Sequence, residues 1–139
     1  MAENAVTEWA RETPHGAGKV IDLPWVRTNL ADVYSKIQVL RLMNWKQAWS
    51  ATQGGQPNPA TASAIKVFGS ELNIEAYRLL MEVLGPRAVI QKGSREAALE
   101  GRVDKSYRNG LILTFGGGTN EVQRDIIAMA GMGMPHYKD

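Results

Sequence analysis

Three groups of residues in this 139-residue chain have types and spacings that could do chemistry. Gly116-Gly117-Gly118-Thr119-Asn120-Glu121 places three glycines directly before a helix start. Free amides and the positive end of a helix dipole make such a place a ready anion site. Glycines also let a ligand approach the backbone closely. From pattern alone, the favoured reading of the same residues is a flexible linker with Thr119 as an ordinary N-cap. The second group is Glu82 with Gly85 at a helix end, with Glu71 and Glu75 near the same helical face. A solvated acidic face is the simpler reading there. The third is Arg11 at the end of the first helix, alone a surface cation that complements the dipole.

Other chemistries fail on spacing. Gly16-Ala17-Gly18-Lys19 suggests a phosphate loop, but that pattern needs Gly at 13 and Ser or Thr at 20, where Thr13 and Val20 stand. The triple glycine lacks a Gly three residues after Gly118 and any βαβ context, so it is no dinucleotide fingerprint. Glu12-Thr13-Pro14-His15 matches a di-metal Glu-x-x-His once, and Pro14 breaks the helix that would carry it. The other histidine, His136, lies in the tail. With no cysteine there is no disulfide scaffold, thiolate zinc site or cysteine nucleophile. No Gly-x-Ser-x-Gly occurs. Trp25, Trp45 and Trp49 read as core or interface anchors rather than stacking platforms for bases.

The elements that must position these residues are helical. Ala5, Val6 and Trp9 make the first ten residues a helix, broken at 14–18. Asp22 and Pro24 signal the next start. No Gly or Pro interrupts 25–52, where Val26, Leu30, Val33, Ile37 and Leu40 make a stripe on a helix about 40 Å long. Gly54-Gly55-Gln56-Pro57 ends it, and Asn58-Pro59 opens a third helix to Leu84, with Ile65, Phe68, Leu72, Ala76, Leu79, Leu80 and Val83 on its apolar face. Gly85-Pro86 stops that helix, and 87–93 is a connector. A shorter polar helix is expected over 94–108, a short apolar run over 110–115, and a last helix from Thr119 through Met129, before a short polar tail. Long helices with short connections pack antiparallel, so the expected fold is all-α, an antiparallel up-down helical bundle.

Length allows one domain with a real core. Hydrophobic content of 44% and charged content of 22% are those of a globular protein, which excludes disorder throughout. A formal charge of +2 is too small to argue for nucleic acid. No stretch reaches the roughly 18 apolar residues of a membrane span. The start Met1-Ala2-Glu3-Asn4 lacks a secretory signal, and the missing cysteines fit a reducing compartment, so a cytoplasmic location is expected.

Thr114-Phe115-Gly116-Gly117-Gly118-Thr119-Asn120-Glu121-Val122-Gln123-Arg124-Asp125-Ile126-Ile127-Ala128 resembles the signature of the acyl-CoA dehydrogenases, flavoenzymes with a Gly-Thr-x-x-x-Gln-Arg core. Leu30-Ala31-Asp32 through Arg41 resembles that family's long helix. Ser63-Ala64-Ile65-Lys66 through Leu84-Gly85 resembles the next one. Order and spacing agree with the family's C-terminal helical domain over nearly the whole chain.

The resemblance implies FAD as cofactor, an acyl-CoA thioester as substrate and an electron-transfer flavoprotein as electron acceptor. In the family a carboxylate takes the α proton while the β hydrogen leaves as hydride. Carried over by position, Thr119 and Glu121 fall where the flavin of the same subunit is touched. Arg11 falls on an arginine that reaches the FAD pyrophosphate across a dimer interface. Glu82 and Gly85 fall on a Gln…Gly pair that contacts a neighbour's adenosine portion, and Gly117 and Gly118 where the thioester passes.

Several positions depart from the pattern. The glutamate base of many members sits where Gly117 stands, and other members place it upstream of this chain, so no catalytic base is assigned. Pro14 and His15 replace Phe-Gly, Glu82 replaces Gln, and Pro86 replaces a second Gly. The N-terminal helical and middle β domains of the family are absent from this sequence. Either the chain is a fragment of a longer enzyme, the favoured expectation since Met1 starts inside a helix, or it belongs with a heteromeric steroid side-chain subclass in which paired subunits share flavin sites. The alternative function is a non-catalytic bundle serving as a binding or assembly subunit.

Overall fold

Pro24 and Pro59 each stand as the first residue of a long helix, where a missing N–H costs nothing and φ is already helical. The computed structural model describes residues 2–56 and 58–136. Met1, Pro57 and the tail over 137–139, all used above, lie outside the described residues. The α-helices are α1 (Ala2–Glu12), α2 (Pro24–Thr52), α3 (Pro59–Leu84), α4 (Arg102–Gly110) and α5 (Asn120–Ile126). Two short strands, β1 (Pro14–His15) and β2 (Gly18–Lys19), pair antiparallel through Pro14↔Lys19 and His15↔Gly18. The chain is therefore all-α apart from this hairpin, as expected. Among the described residues, no helix is long and apolar enough to cross a membrane.

The chain divides into two compact units, and α2 and α3 each contribute a half to both. The first comprises Met1–Lys36 and Asn73–Leu111. Its core holds Val6, Ala10, Val26, Leu30 and Val33 from α1 and α2, and Leu79, Leu80, Val83 and Leu84 from α3. Lys36 bonds Glu75, and Asn29 bonds Glu82, so α2 and α3 run antiparallel here. Asp22 does not cap α2. It turns back to accept the Lys19 N–H at 2.9 Å and closes a 3-10 turn over Val20–Asp22.

The helix expected over 94–108 begins eight residues late, at Arg102. Leu99, Glu100 and Gly101 are all left-handed, with φ of 49°, 58° and 70°. A right-handed helix cannot pass through them. Gly101 tolerates the last of these and stands as N-cap of α4. Nor does Gly85-Pro86 stop helical structure at once, since a 3-10 turn continues over Gly85–Val89.

The second unit comprises Ile37–Leu72 and Ile112–Asp139. Leu40 lies against Gly69, again an antiparallel pairing. Asn58 caps α3 as expected, its Oδ1 accepting the N–H groups of Ala60 and Thr61. The segment after α5 widens into a π-helix over Ile127–Gly131. Trp45 and Trp49 are 56% and 66% exposed, and Leu42 is exposed beside them in sequence. Trp25, in the first unit, is also exposed. These three tryptophans are therefore not core residues.

Candidate functional site

The sequence-predicted residues fall into two sets, one in each unit. In the second unit, Gly117, Gly118, Thr119 and Glu121 form a continuous turn into α5. The turn is held from behind by side chains. Lys66 on α3 donates to the carbonyl oxygens of Thr114 and Gly118, at 3.3 and 2.7 Å, and to Asn120 Oδ1 at 2.7 Å. Asn120, the first residue of α5, is only 4% exposed. Its Oδ1 also accepts from the buried Ser70 hydroxyl at 3.0 Å, and its Nδ2 donates to Glu71 at 3.3 Å. Glu71 in turn pairs with Arg124. Gln123 Nε2 donates to the Gly117 carbonyl at 2.9 Å. A linker with no fixed shape would carry none of these bonds.

Thr119 is the N-cap, its Oγ1 accepting the Val122 N–H at 3.4 Å. The Glu121 carboxyl is held below the usual glutamate range, first by its own backbone N–H and then by the Thr119 hydroxyl. Arg124 and Lys66 add attraction. Gly117 has φ of +74°, and a Cβ built there meets nothing within 4 Å. This position carries no acidic group, and the space in front of it is open. Gly118 has φ of +91°, which disfavours any side chain, and a Cβ there would also stand 2.8 Å from Gln123 Nε2 and displace the end of that side chain.

In the first unit, Glu82 and Gly85 line one hollow of about 300 Å³ together with Trp9, His15 and Arg87. Arg11 is exposed at the last turn of α1 and does not line that hollow, although its neighbours Trp9 and Thr13 do. Gly85 has φ of +62° and nothing within 4 Å of where a Cβ would stand. The Glu82 carboxylate is bonded by Arg78 at 2.6 Å and by Asn29 at 3.2 Å. The acidic face is thus ion-paired rather than merely solvated: Glu71 with Arg124, Glu75 with Lys36, Glu82 with Arg78. Neutralised in this way, Glu82 does not forbid an anion nearby, and Arg87 supplies a cation in the wall. The donor set, with an indole and an imidazole beside an open glycine, fits an aromatic nucleotide carrying phosphates.

Sequence reasoning missed the roles of Lys66, Ser70, Asn120 and Gln123. The spacing of Lys66 and Ser70, four apart on α3, was the available signal, since both then face the same way.

Comparison with known proteins completes the description. Residues 1–132 match the family model described as acyl-CoA dehydrogenase, C-terminal domain. The chain is 55% identical over 133 residues to acyl-CoA dehydrogenase FadE26 of Mycobacterium tuberculosis, covering 94% of this chain and 33% of that protein. The crystal structure of the ChsE4-ChsE5 complex from Mycobacterium tuberculosis matches with 51% identity and a TM-score of 0.88, covering 99% of this chain and 35% of that one. The Tcur3481-Tcur3483 steroid ACAD matches with 38% identity and a TM-score of 0.88, over 97% of this chain and 34% of that one. The chain spans about a third of the length of these relatives. By the extent of the family match and the identity to FadE26, this chain belongs to the acyl-CoA dehydrogenase family and corresponds to its C-terminal domain.

Proposed function

We propose that this chain is the FAD-contacting and oligomerising C-terminal part of an acyl-CoA dehydrogenase, acting in α,β-desaturation of an acyl-CoA thioester. The observation that carries the reading is the braced turn over 117–119, with open space at Gly117 and the Thr119 hydroxyl and Glu121 carboxylate at its end. FAD, when bound, would supply the hydride acceptor for the β hydrogen. Thr119 and Glu121 would hold the cofactor of the same subunit. Arg11, Glu82 and Gly85 would meet a cofactor belonging to a neighbouring subunit. Gly117 and Gly118 would let the thioester pass close to the backbone. The α proton must go to a carboxylate elsewhere, because Gly117 offers none and Glu121 is given to the cofactor. A cytoplasmic location and electron delivery to an electron-transfer flavoprotein complete the proposal.

Oligomerisation is supported by the large apolar side chains left in water. Ile112 and Phe115 are each 68% exposed, and Trp45 and Trp49 are similarly bare. Two related structures are described as pairs of named components, ChsE4-ChsE5 and Tcur3481-Tcur3483. These exposed residues, with the missing base at Gly117, also favour a second reading, a partner subunit that assembles the enzyme without performing its chemistry. The test is the flavin-to-protein ratio of the assembled enzyme carrying Thr119→Val or Arg11→Ala. Both substitutions should lower flavin content several-fold. Full flavin content in both would overturn the assignment of these contacts and leave the assembly-subunit reading.

A further inference from the structure

We propose that Lys66 is a positioning residue whose ammonium sets the shape of the 116–119 turn and so the side of it that a ligand meets. What the turn meets rests on the function proposed above. How the turn is held rests on the geometry of this chain alone.

An ammonium has three N–H donors and no acceptor. Lys66 finds three acceptors, the Thr114 and Gly118 carbonyls and Asn120 Oδ1. One carbonyl lies before the glycine run and one at its end, so a single charge ties both ends of the turn. Lys36 offers the contrast, because its ammonium goes to two carboxylates, Asp32 and Glu75. Lys66 spends its charge on backbone and amide oxygens, an arrangement that shapes a loop rather than cancelling a charge.

Peptide planarity gives the consequence. In a trans peptide the C=O and N–H point in opposite directions. The Gly118 oxygen is on Lys66, so the Thr119 N–H is aimed away from Lys66. The Gly117 oxygen is on Gln123, so the Gly118 N–H is aimed away from that side chain. Between these two peptides and the start of the glycine run, a Cβ at Gly117 would meet nothing within 4 Å, so the backbone there is open to a ligand. Asn120 fixes the lysine in turn. Both lone pairs of its Oδ1 are used, by Lys66 and Ser70, and its amide is anchored on Glu71.

The test is amide hydrogen exchange in the flavin-free chain, comparing Lys66→Met, Lys66→Arg and the control Lys36→Met. The reporters are the hydrogen-bonded amides of Phe115, Gly116, Val122 and Gln123 around the turn. Lys66→Met should speed their exchange about tenfold. Lys66→Arg, which keeps charge and donors, should restore much of the protection, and Lys36→Met should leave these amides unchanged. Unchanged exchange in Lys66→Met, or an equal effect from Lys36→Met, would overturn the proposal. Should Lys66→Met fail to fold, Lys66→Gln carries the same comparison. In the flavin-loaded enzyme, Lys66→Met should also shift the flavin absorption band. Faster exchange with an unmoved band would uphold the positioning role and remove the turn from the flavin site.

Discussion

Asn120 is the buried hub of the turn, and replacing it by alanine has a cost that can be worked from its bonds. The charge-assisted bond from Lys66 at 2.7 Å lies at the low end of about 1.5–3 kcal/mol, because water can still reach part of the lysine. The bond from Ser70 adds no more than about 1 kcal/mol, and no orphan penalty follows, since the single hydroxyl proton can turn to the Val67 carbonyl at 3.1 Å. The 3.3 Å bond to Glu71 ends on a half-exposed carboxylate and adds little. Asn120→Ala should therefore destabilise by about 2–3 kcal/mol, roughly 30- to 150-fold in the folding equilibrium. Glu71→Gln removes a pair whose side chains are 49% and 52% exposed, and should cost no more than about 1 kcal/mol. Urea unfolding of the two variants beside the parent gives both numbers, read as a midpoint change at constant slope. A cost below about 0.5 kcal/mol for Asn120→Ala, or an equal cost for Glu71→Gln, would refute the hub.

The Glu121 carboxyl should titrate below the ordinary glutamate value of 4.5, and Thr119→Val should move its NMR midpoint upward. Its folded value is depressed, so its contribution to stability is complete above that ordinary value and is lost as pH falls through the lowered one. Lys36 behaves oppositely: the bonds it donates first to Asp32 and then to Glu75 raise it above 10.5, so its contribution holds below 10.5 and is lost as pH rises through the folded value. Lys36→Met should abolish that alkaline dependence in denaturant titrations. Gly117→Ala should cost about 1 kcal/mol for left-handed backbone alone, and Gly118→Ala somewhat more because it also displaces the end of Gln123 and its bond to Gly117. Thermal unfolding checks that order, and the reverse order would contradict the packing.

The long helices were legible because their signals are local. Pro24, Pro59 and the Asn58 cap each act within one turn of the chain. The late start of α4 was not legible, since nothing in Ala98-Leu99-Glu100 announces left-handed backbone before Gly101. The tryptophans, read as core or interface anchors, stayed ambiguous for another reason. An apolar residue that faces a partner and one that faces the core have the same letter and the same spacing, and only burial separates them. Thr119, Glu121 and the glycines could be found as a contiguous motif. The spacing of Lys66 and Ser70 marked a shared face, but not their partners, because the groups Lys66 holds lie 48 to 54 residues away. Helical periodicity carries no such long-range pairing. The neutralisation of Glu82 by Arg78, one turn earlier on α3, was within reach of the four-residue rule.

The flavin content of this chain alone, set against that of the same chain joined to an N-terminal helical domain and a middle β domain of the family, is the most direct measurement. Absorbance of the purified proteins should show little or no flavin on the chain alone. The joined protein should carry close to one flavin per chain or per pair of chains, and an acyl-CoA substrate should bleach it. A chain that is fully yellow by itself would contradict the idea that other domains complete the pocket, and a colourless joined protein would contradict its membership of a flavin site.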